Sequence, residues 1–135
     1  MSRLANTIAI MRMGLTNKKQ IVKVPVNKRV IQVLNKFQQR GLINGYTYYH
    51  SATGGTAKIY LKYDDNMDSI ITYMKVLPES FRARWHYRYK RLKNIFVTGG
   101  LDVLLTTDKG YLFCSEIIPS PLKIGGKGVL IISIY

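Results

Sequence analysis

Thr106-Thr107-Asp108-Lys109-Gly110 is a short run whose residue types could do recognition chemistry. Paired hydroxyls at a strand end donate and accept at once, as ribose 2′-hydroxyls and base edges require; threonines in strands also serve simply as good strand formers. A second run, Gly125-Gly126-Lys127, sits in I-G-G-K-G and lacks both the spacing and the magnesium-holding hydroxyl of a P-loop. Its glycines still let backbone amides approach an anion without a β-carbon in the way, and Lys127 adds a point charge. In the third run, residues 81–90, Arg82, Arg84, His86, Arg88 and Lys90 hold the even positions, and Phe81, Ala83, Trp85, Tyr87 and Tyr89 the odd ones. Period two predicts a strand with one cationic face. The aromatic face is assigned to the core rather than to base stacking, because a sheet needs one buried face.

Catalytic chemistry finds little support. His50 and His86 fall in different segments, Cys114 has no base near it in sequence, and the acids lack the spacing of a metal site. One cysteine can form neither an internal disulfide nor, by itself, a zinc site. No cofactor and no small-molecule substrate are expected.

Charge names a partner class. The 135 residues carry 21 Lys and Arg against 7 Asp and Glu, a net +14 that is best tolerated when a polyanion neutralises it. Residues 1–63 hold eleven of the cations and no acid, so the amino-terminal half is nearly a pure cation. An apolar content of 47% is ordinary for a folded chain. No run approaches a membrane span, and a membrane partner is not expected.

Certain elements must position these residues. Leu4, Ile8, Met11 and Leu15 are spaced as a helix over residues 2–14, with Ser2 as a cap and Gly14 as a stop. A basic, acid-free start is also what a mitochondrial presequence looks like. Residues 20–24 predict a strand ending at Pro25. Asn27 then caps a helix that buries Val30, Ile31, Leu34 and Phe37 and ends at Gly41. Lys28, Arg29, Gln32, Lys36 and Arg40 lie on its outer face, either for phosphate or simply solvated. Residues 46–63 predict a hairpin turning at Gly54-Gly55. The acids of 64–68 suggest a lobe boundary, giving an amino-terminal α/β lobe (1–64) and a mainly-β carboxyl-terminal lobe (65–135), an α+β fold in all. Ile70, Ile71, Met74 and Leu77 suit a helix or a strand equally. Residues 101–107, 111–114 and 128–135 read as strands, and Pro119, Pro121, Gly125 and Gly126 mark a loop.

Taken in order, V-P-x-N-K, R-G-L-I, I-Y-L-K-Y, the aromatic-basic strand, G-G-L-x-V-L-L-T-T-D-K-G and G-G-K-G-V-L-I-I resemble the eighth small-subunit ribosomal protein family over nearly the whole chain. Thr106, Thr107, Lys109 and Gly110 match its hydroxyl-rich turn, and Gly125 and Gly126 the glycines before its last strand. Arg12 and Lys28 match its amino-terminal motifs more loosely. Asp108 stands where the family commonly has a third hydroxyl, and Lys127 where many bacterial members have an acid. The resemblance implies a two-lobed, non-enzymatic protein that binds the central domain of small-subunit ribosomal RNA during assembly, beside neighbouring ribosomal proteins. Abundant Ile, Tyr, Asn and Lys suggest a mitochondrial version, with the bacterial cytoplasm or a plastid as alternatives. A stand-alone single-strand nucleic-acid binder that stacks bases on Trp and Tyr is the competing reading.

Overall fold

The computed structural model describes residues 3–52, 54–76, 86–87, 101–107, 110–113, 116 and 126–134. Two compact units divide the chain, Met1–Ile70 and Ile71–Tyr135. The class is α+β, with helices and a short sheet in the first unit and strands dominating the second.

In the first unit, α1 (Arg3–Thr16) buries Leu4, Thr7, Ile8, Met11, Gly14 and Leu15 along one stripe. The helix runs through Gly14 rather than stopping there. A β-carbon at position 14 would lie 2.5 Å from Val22 Cγ1, so this glycine lets the helix settle on the sheet. β1 (Ile21–Val26) contains Pro25 instead of ending before it. The strand order β1-β3-β2 makes β1 an edge, where a missing N–H need not break a ladder.

Asn27 caps α2 (Lys28–Gln39), its Oδ1 accepting from Val30 N at 3.0 Å. The helix closes with Leu42 N donating to Phe37 O and Gly41 N to Gln38 O, with Gly41 at φ +69°, a Schellman ending. Val30, Val33, Leu34 and Phe37 are buried, while Ile31, expected in the core, is half-buried at its margin.

β2 (Ile43–Ser51) and β3 (Gly54–Leu61) form the hairpin. Ser51 pairs with Gly54 and Ala52 lies in the turn, so the glycine pair belongs to β3. The Tyr48 ring fills the space a side chain at position 55 would need, 2.5 Å from an ideal β-carbon. Both helices lie on the sheet face formed by Val22, Val24, Ala57, Ile59 and Leu61, all buried. The acidic loop stays with this first unit: Tyr63 bridges to Ser69, and the Lys18 ammonium reaches Met67 O at 2.5 Å and Asp68 Oδ1 at 3.4 Å.

The second unit holds one antiparallel sheet ordered β4-β8-β6-β7, formed by β4 (Ile71–Val76), β6 (Leu101–Thr107), β7 (Gly110–Phe113) and β8 (Gly126–Ile134). A short β5 (His86–Tyr87) also pairs with β8. The ambiguous segment is therefore a strand, β4, with Ile71 and Met74 buried. Phe113, Leu104 and Leu130 are cross-strand neighbours, each with 0% of its surface exposed, and they form the centre of this core. Cys114, Pro119, Pro121 and Trp85 lie outside the described residues.

Candidate nucleic-acid interface

β6 begins as core and ends as surface. Val103, Leu104 and Leu105 are buried, Thr106 is exposed and Thr107 half-buried, so the strand carries its hydroxyls out past the apolar layer. The β6–β7 hairpin closes with Thr107 opposite Gly110, whose φ of +95° suits glycine and strains other residues. Thr107 Oγ1 donates to Gly110 O at 2.8 Å, an internal use of a hydroxyl that the sequence offered for recognition. Thr106 makes no side-chain hydrogen bond among the described residues and points to solvent.

On its other side β6 pairs with β8, and the register sets Thr106 opposite Lys127. β8 in turn sets Lys127 opposite His86 and Gly126 opposite Tyr87. β4 covers the remainder of that β8 edge, from Leu130 to Ile134. Three motifs far apart in sequence thus meet at one end of one sheet: the threonine turn, the Gly126-Lys127 backbone and the middle of the aromatic-basic run. A bulge at Leu104/Leu105 against Leu130/Gly128 precedes this end, a device that re-aims a strand near a functional edge. Arg84, Arg88, Lys90, Asp108, Lys109 and Gly125 lie outside the described residues.

The amino-terminal candidates belong to a different unit. Arg12 is exposed on α1, where its carbonyl accepts from Thr16 Oγ1 at 2.9 Å. Lys28 is the first residue of α2 and exposed, followed by exposed Arg29, with no acid in that turn. Two cations at the positive end of a helix dipole are electrostatically unfavourable, a cost that a phosphate would relieve. Among the described residues, the Lys18–Asp68 ion pair is at least half exposed on both sides and contributes little to stability.

The sequence reading passed over Lys23, Tyr49 and Lys58. They come together on the sheet face opposite the helices, where Lys23 stands directly across from Lys58 and the Lys58 ammonium lies 5.6 Å from the Tyr49 ring centre. The signal available was alternation within each strand, but only the strand order reveals that the two lysines are neighbours. No group of three or more His, Cys, Asp or Glu suited to a metal occurs among the described residues, and no described helix is long and apolar enough to cross a membrane.

These features define a small, strongly basic α+β protein whose polar and glycine-rich motifs gather at the end of its second sheet. The chain belongs to the ribosomal protein S8 family, whose model matches residues 2–135; this is a family of small-subunit ribosomal components, not of enzymes. It is 32% identical over 95 residues to the small ribosomal subunit protein uS8m of Dictyostelium discoideum, covering 70% of this chain and 61% of that one. A uS8m of Dictyostelium citrinum is 35% identical over 77 residues, 57% of this chain and 50% of the relative. The uS8 of Phocaeicola vulgatus is 25% identical over 127 residues, 92% of each. The chain thus spans between half and about three-fifths of the uS8m relatives and nearly all of the bacterial one.

Proposed function

We propose that this protein is a structural constituent of the mitochondrial small ribosomal subunit, binding the central domain of small-subunit ribosomal RNA and supporting its assembly beside neighbouring ribosomal proteins. The observation that carries this reading is the convergence of Thr106, Gly110, Gly126 and Lys127 at one sheet end. Exposed hydroxyl, glycine backbone and cation are the three kinds of group that meet ribose, close-packed phosphate and phosphate charge. In this reading Arg12, Lys28, Arg84, Arg88, Lys90 and Lys109 neutralise phosphates, while Thr106, the turn that Thr107 closes on Gly110 and the segment Gly125-Gly126-Lys127 fix the register on one RNA feature. Asp108, next to Lys109 in sequence, is repelled by phosphate unless Lys109 or another cation screens it. The uS8m relatives support the mitochondrial assignment, and a net charge of +14 supports a polyanionic partner.

Filter binding of the full chain to a central-domain transcript, with an unrelated single strand of equal length as competitor, tests it. Neutralising about six to ten phosphates weakens binding by ~10³- to 10⁵-fold between ~50 and ~200 mM salt. A steep salt dependence with preference for the transcript is expected. Equal affinity for both RNAs would replace this reading with that of a stand-alone single-strand binder.

A further inference from the structure

In the first unit, among the described residues, one sheet face carries both helices and the opposite face carries none. On that open face, registers place Lys58 of β3 between Lys23 of β1 and Thr47 of β2, and Thr56 between Pro25 and Tyr49. Lys23, Tyr49, Thr56 and Lys58 line a depression of about 340 Å³, and Tyr49 is 48% exposed. Like charges directly opposed across strands repel, and the sheet offers them no carboxylate because residues 1–63 contain none. Lys58 rests over the Tyr49 ring, a contact that is weak at an exposed site and readily exchanged for a stronger anion.

From these residues we infer that the open face of the amino-terminal sheet is a second RNA contact, taking an unpaired nucleotide with its base on Tyr49 and its phosphate between Lys23 and Lys58. The chemistry matches part by part. A half-exposed ring supplies a stacking surface for any base, paired ammonium groups supply the phosphate site, and the exposed Thr56 supplies a hydroxyl beside them. Lys58 can turn from ring to phosphate as the base takes its place, so the free protein keeps the site occupied by its own cation until RNA arrives. An acidic protein segment would satisfy the lysines but would leave the ring without a planar partner. This contact is separate from the Thr106 end, which belongs to the other unit, and from Arg12 and Lys28, which lie on the helices. It rests on the reading of the chain as a binder of ribosomal RNA.

The test uses full-length wild type, Tyr49→Phe, Tyr49→Leu and the Lys23→Gln/Lys58→Gln double variant against the central-domain transcript, with thermal melts as a folding control. Tyr49→Leu is expected to lose roughly five- to hundredfold in affinity at unchanged salt slope, and Tyr49→Phe to stay within about twofold. The lysine double variant is expected to lower the salt slope by about one to two. Failure of wild type to bind the transcript overturns the ribosomal RNA reading and this contact with it. Wild-type binding matched by all variants overturns this contact alone. Variants that bind RNA normally but drop out of reconstituted small subunits would assign the face to a protein partner and equally overturn it.

Discussion

Gly14 in α1 lies so close to Val22 in β1 that a β-carbon at position 14 would sit 2.5 Å from Val22 Cγ1 and 3.1 Å from Leu61 Cδ1. Helix propensity alone favours alanine here by ~1 kcal/mol. Overpacking a closed interface costs ~1 to 3 kcal/mol, and Val22 is a stiff, β-branched neighbour that cannot swing away. Gly14→Ala is therefore expected to destabilise the protein. Val22→Ala in the same chain should recover part of the loss, so that the two changes together cost less than their sum. Chemical denaturation of the two singles and the double measures this coupling; strict additivity would mean that the helix simply shifts to accept the methyl group.

The end of α2 nearest Lys28 depends on one side chain. Asn27 Oδ1 accepts from Val30 N at 3.0 Å, and Lys28 and Arg29 make the first turn electrostatically unfavourable. Asn27→Ala should cost ~0.5 to 2 kcal/mol. Asn27→Asp should do better than wild type, since a carboxylate caps equally well and also offsets the two cations. Thermal unfolding of the three proteins checks the order.

Much of the fold was legible because it is local. The Asn27 cap and the Gly41 ending lie in a short stretch of sequence, and the alternation of Ala57, Ile59 and Leu61 with Lys58 and Tyr60 reports one buried face by itself. Where the sequence misled, the deciding contact was remote. Gly14 looks like a helix stop until Val22 is seen beside it, and Pro25 looks like a strand end until β1 is seen to be an edge. Ile71 and Met74 fit helix and strand periods alike, and the pairing with β8 decides between them. The meeting of Thr106 with Lys127 was equally invisible, because register between strands is set by whole-sheet packing.

Tyr63 links the acidic loop to the end of α1, its hydroxyl donating to Lys19 O and, at 3.4 Å, to Gly14 O. Burial pushes the phenol above its ordinary value of 10.0. A folded-state value above the unfolded one means that the stabilisation is full below pH 10 and is lost as pH rises through the folded value. The stability gap between wild type and Tyr63→Phe should thus stay constant at neutral pH and close in alkali. Melting both proteins across that range tests it; a gap that widens with pH would show that the hydroxyl is not held by these carbonyls.

Thr106 and Thr107 are adjacent and chemically identical, yet the structure gives their hydroxyls different work. Thr107 Oγ1 closes the β6–β7 turn on Gly110 O at 2.8 Å, whereas Thr106 is exposed beside the register position of Lys127. Valine keeps the branched shape and strand propensity and deletes only the hydroxyl. Thr107→Val should lower stability by ~0.5 to 1.5 kcal/mol, the net worth of one hydrogen bond. Thr106→Val should leave stability nearly unchanged. If Thr106 meets a ribose or a base edge, its loss leaves that partner unsatisfied in the complex, costing ~1 to 3 kcal/mol, or roughly five- to hundredfold in affinity for a central-domain transcript. The salt slope should not move in either variant, because no phosphate-neutralising charge is removed. Melting curves and filter binding at several salt concentrations separate the two roles. Loss of RNA affinity in Thr107→Val without loss of stability, alongside normal binding by Thr106→Val, would reverse the assignment and make the turn bond incidental.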